Sequence, residues 1–336
     1  MNERELRDLL ERKFGQASLV SGGNGPEIVV QCPHCSRRKL SVNARKAVWH
    51  CWHCGEAGTL KALLGMDVKV DVSRRAFRPR TLGYIPPGDT VPVGSLPDDH
   101  EASCYLARRK FDRNILSDVF GISYCRRGRK FGGGIFDTSG CIVIPITEDG
   151  RDIAWQARLL YDPDKVPEGQ EGAYGWLFED GRYRKPPKYF TSPGFRKGER
   201  LFNMDQASRF PVVVVTEGAF DAMRVGPCAV AAFGKGVTDV QAELLKRWQV
   251  VVLLLDPDAE SDQEALRRRI EGRGPFGRLG DGPKVVSVHL SGYKDAGEAP
   301  QGDVVRQIML ACSSDGVDLG RVCREDPFLL TARKQQ

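Results

Sequence analysis

The chain has no long hydrophobic segment, no internal repeat and no P-loop motif. Its longest apolar run, residues 250–255, is far shorter than the roughly 20 residues that a membrane-spanning helix needs, which excludes a helical membrane protein. Because the sequence contains no G-x-x-x-x-G-K-S/T motif, we expect no P-loop nucleotide-binding domain within it.

The composition is typical of a globular protein in a reducing compartment. Of the 336 residues, 41% are hydrophobic and 28% are charged, and this length favours two or three domains. The N-terminal sequence does not look like a signal peptide. Six of the ten cysteines are scattered singly, which is not the usage of a disulfide-rich secreted protein. We therefore expect a cytoplasmic protein.

Basic residues are concentrated in two parts of the chain, although the formal net charge is only +6. Residues 61–130 contain 14 Lys and Arg against 8 Asp and Glu, and residues 182–200 contain 7 against 1. An ordinary solvated surface mixes the two signs more evenly. The uneven distribution indicates a polyanionic partner.

Four cysteines form two C-x-x-C pairs with 15 residues between them: Cys32, Cys35, Cys51 and Cys54. Each pair places two thiolates on one tight turn, and two such turns supply the tetrahedral ligand set of a zinc ion. A closed shell of four ligands leaves no position for a substrate, so the zinc would be structural. Histidines flank the cysteines, and a Cys₃His shell is the alternative ligand set.

The segment around these cysteines is rich in cations and tryptophans. Cations bind phosphates and indoles stack on bases, so we expect this zinc module to bind nucleic acid. The residues predicted to recognise a template are Arg37, Lys39, Trp49 and Trp52. The alternative is a purely structural zinc module with an ordinary charged surface.

The last third of the chain alternates apolar strands with helical segments, which predicts a parallel α/β sheet. Residues 212–215 and 250–255 are continuous apolar runs typical of strands buried on both faces, and residues 285–289 predict another strand. Ligand and catalytic groups of such sheets gather at the carboxyl ends of the strands. The acidic residues that follow these strands are Glu217, Asp221, Asp256, Asp258, Asp295 and Glu298.

These carboxylates would converge if the strands are neighbours, and they would repel one another without a balancing cation. Carboxylate oxygens suit Mg²⁺ or Mn²⁺, and a metal pair at this edge would serve phosphoryl transfer. Gly218 allows a phosphate to approach the backbone, and we expect Lys235 to assist in binding it. The alternative is that the acids are helix N-caps and turn residues.

The order of these motifs resembles the DnaG-type DNA primases. E-x-x-x-D after one strand and D-x-D after the next resemble the Toprim domain, which primases share with topoisomerases and some nucleases. The zinc ribbon ahead of it narrows the resemblance to primases, and its four cysteines resemble those of phage members. Further similar segments are Y-L-A-R at 105–108, G-I-S-Y at 121–124, I-V-I-P-I at 142–146, K-Y-F-T-S-P at 188–193 and K-D at 294–295.

Together, pattern and resemblance predict a multi-domain α/β protein. Its parts would be a template-binding zinc ribbon at 1–65, a linker at 66–100, a mixed α+β basic subdomain at 101–210, a Toprim domain with a Rossmann-like parallel sheet at 211–300, and a helical C-terminal tail at 301–336. Residues 101–120 are predicted to form a helix at the start of the basic subdomain.

The resemblance also implies roles for individual residues. The acids that would bind catalytic Mg²⁺ or Mn²⁺ are Glu217, Asp221, Asp256, Asp258 and Asp295. Among them, Glu217, Asp256 and Asp258 would be catalytic, with Glu217 as the candidate general base. The residues that would guide the template or the incoming nucleotide are Arg158, Lys188 and Tyr189. The zinc module would help to choose the template site at which synthesis begins.

We therefore expect a DNA primase, encoded by a phage or another mobile element, that makes short RNA primers for replication. Its partners would be single-stranded DNA and ribonucleoside triphosphates, with a replicative helicase or polymerase as a further candidate. One alternative is a Toprim nuclease, which would not need the basic motif around Arg158 and Lys188. The other is a non-catalytic protein that binds single-stranded DNA, which would tolerate loss of Glu217 or Asp256.

Overall fold

The computed structural model describes residues 3–22, 25–43, 47–66, 84–234, 236–256, 260–271 and 282–328. The chain divides into two compact units, Met1–Thr81 and Leu82–Gln336. The predicted fold class is confirmed, since the chain combines a four-cysteine module, mixed α/β structure and a parallel sheet. No helix in the described ranges is both long and apolar enough to cross a membrane.

The first unit is an antiparallel sheet flanked by helices. Its elements are α1 (Glu3–Phe14), β1 (Ser18–Gly22), β2 (Gly25–Val30), β3 (Leu40–Asn43), β4 (Val48–Cys51), β5 (Ala57–Thr59) and α2 (Leu60–Leu64). The strands follow one another in chain order across the sheet. Leu6 and Leu10, four residues apart on one face of α1, are fully buried in a core with Ile28, Val30 and Leu40.

The second unit begins with a five-stranded antiparallel sheet in the order β14-β11-β10-β7-β6. The elements of this part are β6 (Gly88–Pro92), α3 (Glu101–Arg108), α4 (Arg113–Phe120), β7 (Ser123–Gly128), β8 (Lys130–Phe131), β9 (Phe136–Asp137), β10 (Ile142–Glu148), β11 (Arg151–Arg158), β12 (Leu177–Glu179), β13 (Arg182–Arg184), β14 (Tyr189–Thr191) and α5 (Met204–Ala207). Asp149 and Gly150 join β10 to β11, both with the positive φ that a type I′ hairpin turn requires.

Two predictions differ from the structure in this part of the chain. Residues 88–92 of the predicted linker form β6, an edge strand where proline is tolerated; residues 67–83 lie outside the described residues. The helix predicted over residues 101–120 is two helices. The break lies at Lys110, whose φ of 59° is left-handed, and at Asp112, whose carboxylate caps α4.

The parallel sheet of the second unit has the strand order β16-β15-β17-β18. Its elements and those after it are β15 (Val212–Thr216), α6 (Ala219–Val225), β16 (Ala229–Ala231), α7 (Asp239–Leu245), β17 (Val250–Leu253), α8 (Glu260–Ile270), β18 (Lys284–Ser287), α9 (Gln301–Ser314) and α10 (Leu319–Val322). Val212 and Val214 pack in one core, and Val213 and Val215 in another on the opposite face. The continuous apolar run is thus explained by burial on both faces.

Candidate metal centres and nucleic-acid cleft

The two C-x-x-C turns bring four sulfur atoms together. The Sγ atoms of Cys32, Cys35, Cys51 and Cys54 all lie within 4.8 Å of one another, with Cys32 and Cys54 at 3.8 Å and Cys35 and Cys51 at 3.7 Å. A tetrahedral zinc ion with Zn–S bonds of about 2.3 Å separates its sulfur ligands by roughly 3.8 Å. The four thiols therefore fit one structural zinc ion.

The two turns share one backbone arrangement. The amide after the second cysteine of each pair donates to the carbonyl oxygen of the first cysteine, Ser36 to Cys32 at 2.9 Å and Gly55 to Cys51 at 3.0 Å. Burial raises the pKa of the Cys51 thiol, but amide hydrogens of its own turn and hydrogen bonds from the Cys54 and Cys32 thiols outweigh burial and lower this pKa to about 6. For Cys54 the Glu56 amide lowers the pKa, but burial and the other three thiols outweigh it and raise this pKa to about 12. A metal cation would allow all four sulfurs to be thiolates, the form that binds zinc.

Trp49 lies in the core of the first unit, so its predicted role in stacking on a template base is wrong. Its side chain is 7% exposed, and its Nε1 donates to the carbonyl oxygen of Thr59 at 3.1 Å. The cause is strand alternation, because Trp49 precedes the buried Cys51 by two residues on β4 and therefore lies on the same face. The two-residue spacing between Trp49 and Cys51 in the sequence could have predicted that Trp49 is buried.

The other three residues predicted to recognise a template lie at the surface of the first unit. Trp52 is 72% exposed, and the ring of His50 lies edge-on at 4.6 Å between centroids. The Trp52 amide donates to the carbonyl oxygen of Lys39 at 2.9 Å, and the Lys39 and Arg37 side chains are exposed. An indole and two cations therefore remain available to a ligand.

At the carboxyl ends of β15, β17 and β18, acids from three different strands meet. Glu217 directly follows β15, is 8% exposed, and accepts a hydrogen bond from the amide of Asp256 at 3.4 Å. Asp221 lies in the first turn of α6, and Asp295 lies in the loop after β18. The predicted residues Asp258 and Lys235 lie outside the described residues.

Asp221 lies near the acids that follow two other strands, Asp256 and Asp295. One of its oxygens accepts the amide hydrogen of Gly218 at 3.1 Å, and the other accepts that of Gly297 at 2.8 Å. The oxygen bonded to Gly218 caps the start of α6, so the alternative in which the acids cap helices is correct for this one oxygen of Asp221. Burial and the negative charges of Asp295 and Asp256 raise the pKa of Asp221 to about 7. A divalent cation would relieve this repulsion, and the carboxylate donors fit Mg²⁺ or Mn²⁺.

Arg109 belongs to the same site, although it is not among the residues predicted from the sequence. A Cβ atom on Gly297 would lie 2.8 Å from Asp221 Oδ1, 3.1 Å from Arg109 Nη2 and 3.4 Å from Asp295 Oδ1, so the three groups surround one point. The guanidinium also lies 4.6 Å from the centre of the Phe220 ring. α3 ends at Arg108, and Arg109 is its C-cap residue, followed by the left-handed turn at Lys110. A continuous helix over residues 101–120 would not contain this turn.

A cleft of about 400 Å³ is lined by cations and by part of the loop that contains Asp295. The cations that line it are Arg108, Arg109, Lys110 and Arg158, and it reaches Gly297 and Glu298 beside the acids. Cationic walls bind phosphates, and carboxylates hold divalent cations. Such a cleft is suited to a polyanionic ligand with a reacting phosphate near the carboxylates.

Arg158 and Tyr189 are cross-strand partners on β11 and β14. Arg158 is 4% exposed, and its guanidinium carbon lies 5.0 Å from the centre of the Tyr189 ring. Burial raises the pKa of Tyr189 to about 12, so its hydroxyl keeps its proton at neutral pH. Lys188 Nζ lies 3.0 Å from an oxygen of Asp162, which lines the cleft. Of the three residues predicted to guide template or nucleotide, Arg158 lines the cleft, and Lys188 and Tyr189 each contact a residue that lines it.

No protein-family profile matches this chain, and no curated protein matches it. Several solved structures are similar to it. The zinc-binding and RNA polymerase domains of the Aquifex aeolicus primase share 18% identity with it, at a TM-score of 0.42 over 92% of this chain and 85% of that chain. A DnaG primase catalytic domain bound to ssDNA shares 19% identity, at 0.45 over 73% and 78%. The Escherichia coli primase catalytic core shares 20% identity, at 0.44 over 73% and 80%. These neighbours are primases, the family that the sequence motifs resemble.

Proposed function

We propose that this chain is a DNA primase of the Toprim type, which binds single-stranded DNA and joins ribonucleotides into short RNA primers. The observation that carries the proposal is the convergence of Glu217, Asp221, Asp256 and Asp295 beside a cleft with cationic walls. The surface of the zinc module offers a second place for the template. Zinc would be structural, and Mg²⁺ or Mn²⁺ would occupy the acidic cluster.

The cations of the cleft would bind and orient the substrates. Arg109 lies against the Phe220 ring, and Arg158 lies against the Tyr189 ring with its Nη1 donating to the carbonyl oxygens of Leu159 and Tyr161. Both guanidinium groups are thus fixed in direction, and a phosphate would bind their remaining donors. The attacking 3′-hydroxyl forms a bond to the α-phosphorus of the next nucleotide, and pyrophosphate leaves. Glu217 is the candidate acceptor for the hydroxyl proton. Glu217, Asp221, Asp256 and Asp295 would hold a divalent cation, which would supply positive charge beside the reacting phosphate.

The direct test is synthesis on mixed-sequence single-stranded DNA with labelled ribonucleotides and Mg²⁺ or Mn²⁺, beside the variant Asp256→Asn. Short RNA products from the wild type that are lost in the variant would support a primase. A nicked template without RNA would show a nuclease instead. Binding of DNA without either product would favour the non-catalytic DNA-binding protein, which does not need Asp256.

Replacement of Trp52 by alanine should weaken binding of single-stranded DNA about 5- to 150-fold, because stacking on one base contributes about 1–3 kcal/mol. The measurement is fluorescence anisotropy with a labelled oligonucleotide and zinc-loaded protein. Trp52→Phe keeps a ring that can stack and should retain most of the affinity. Equal affinities for wild type and Trp52→Ala would show that Trp52 does not contact the template.

A further inference from the structure

Arg224 is a buried arginine that fastens α6 to two other segments of the second unit. It is 2% exposed. Its Nη1 donates to the carbonyl oxygen of Lys110 at 2.8 Å, and its Nη2 donates to the carbonyl oxygens of Arg109 and, at 3.1 Å, Gly297. The guanidinium carbon also lies 3.9 Å from the centre of the Phe111 ring. Three backbone carbonyls from two distant parts of the sequence are thus joined through one side chain.

Each of the two segments that Arg224 holds carries a charged group of the acidic site. One segment carries Arg109, and the other carries Asp295, two residues before Gly297. The peptide groups of Gly297 are held on both sides by α6, since its amide donates to Asp221 at 2.8 Å and its carbonyl accepts from Arg224 at 3.1 Å. Asp221 and Arg224 are three residues apart, so they project from the same face of the helix. The distance of Asp295 from Asp221 is therefore set through α6.

Packing alone does not require an arginine at this position. Removing a guanidinium from water is unfavourable, and a methionine of similar length would fill the space without that cost. What methionine cannot do is donate hydrogen bonds to three carbonyls. Arginine at this position therefore serves mainly to hold the two segments in place, and filling the space is secondary.

The geometry points to Arg224 as a positioning residue of the proposed metal site. It holds Asp295 and Arg109 in place relative to Asp221, and it acts on a bound cation only through them. This inference rests on the part of the proposed function in which the acids bind a divalent cation. It does not depend on the reaction that the site performs.

Arg224→Met tests this role through the affinity for Mn²⁺, measured by electron paramagnetic resonance with zinc-loaded full-length protein. We expect affinity to fall about 10- to 100-fold, the range for loss of a group that orients a metal ligand. Arg224→Lys keeps part of the hydrogen bonding, so its Mn²⁺ affinity should lie between those of the wild type and Arg224→Met. The matched control is Arg321→Met on α10, where the side chain is 89% exposed, and its affinity should equal that of the wild type. Circular dichroism and the unfolding temperature show whether each variant is folded.

A double-mutant cycle with Asp295→Asn separates positioning from general destabilisation. If Arg224 acts through Asp295, adding Arg224→Met to Asp295→Asn should cost little further Mn²⁺ affinity. Fully additive losses, or wild-type affinity in a folded Arg224→Met protein, would overturn the inference. So would a wild type that does not bind Mn²⁺. A wild type that binds Mn²⁺ but makes no RNA would instead overturn the proposed function and leave the role of Arg224 intact.

Discussion

Glu217→Gln is expected to lower primer synthesis at least about 10³-fold, equivalent to about 4 kcal/mol of transition-state stabilisation. The substitution keeps the shape of the side chain, and the amide oxygen can still accept the hydrogen bond from the Asp256 amide. What is lost is a negative charge and a proton acceptor at the carboxyl end of β15. Neither a metal ion nor a 3′-hydroxyl proton finds an equivalent partner in a neutral amide.

The fold should not suffer from the same change. One carboxylate fewer lowers the repulsion in the acidic cluster, so the metal-free variant should unfold at the wild-type temperature or above it. The matched control is Glu243→Gln on α7, an exposed glutamate paired with Lys246. Primer yield is measured with labelled ribonucleotides, and oligonucleotide affinity is measured in parallel. RNA yields within a few-fold of the wild type would remove Glu217 from the catalytic site.

The convergence of the acids could be predicted from sequence because it depends on local order. Glu217 and Asp256 each come directly after an apolar strand segment, and neighbouring parallel strands end at the same edge of the sheet. The zinc ligands were predictable for a similar reason, since each C-x-x-C pair makes its own turn. In both cases a few consecutive residues determine where the carboxylates or the sulfur atoms lie.

Arg109 and Arg224 were not predictable in this way. Arg109 is part of a helical pattern, and its position at the acids depends on the left-handed conformation of Lys110, a residue type that usually avoids it. Arg224 bonds to carbonyls 114 and 115 residues earlier and 73 residues later in the chain. Contacts of this separation have no periodic signature. An interior arginine on an apolar helix was the only hint in the sequence.

Removal of zinc is expected to unfold the first unit and to leave the second unit folded. The described core of the first unit is small, and the four thiols lie partly inside it, with Cys32 1% and Cys51 0% exposed. Structural zinc contributes about 10–16 kcal/mol to the folding of small zinc-binding modules, more than such a core supplies. Cys51→Ser, which removes one thiolate ligand, should have the same effect as a chelator.

Limited proteolysis with mass spectrometry distinguishes the two units in a single experiment. After chelation or in Cys51→Ser, cleavage should spread through residues 3–66, while residues 84–234 keep their protection. The control is Cys104→Ser, an exposed cysteine of the second unit, which should change neither pattern. A first unit that stays protected without metal would mean that its leucine core suffices and that the four thiols are not a folding site. If it unfolds, the surface that carries Trp52 is lost together with the core around Trp49. Loss of DNA binding after chelation should therefore be interpreted beside Trp52→Ala, which removes the stacking ring from a folded module.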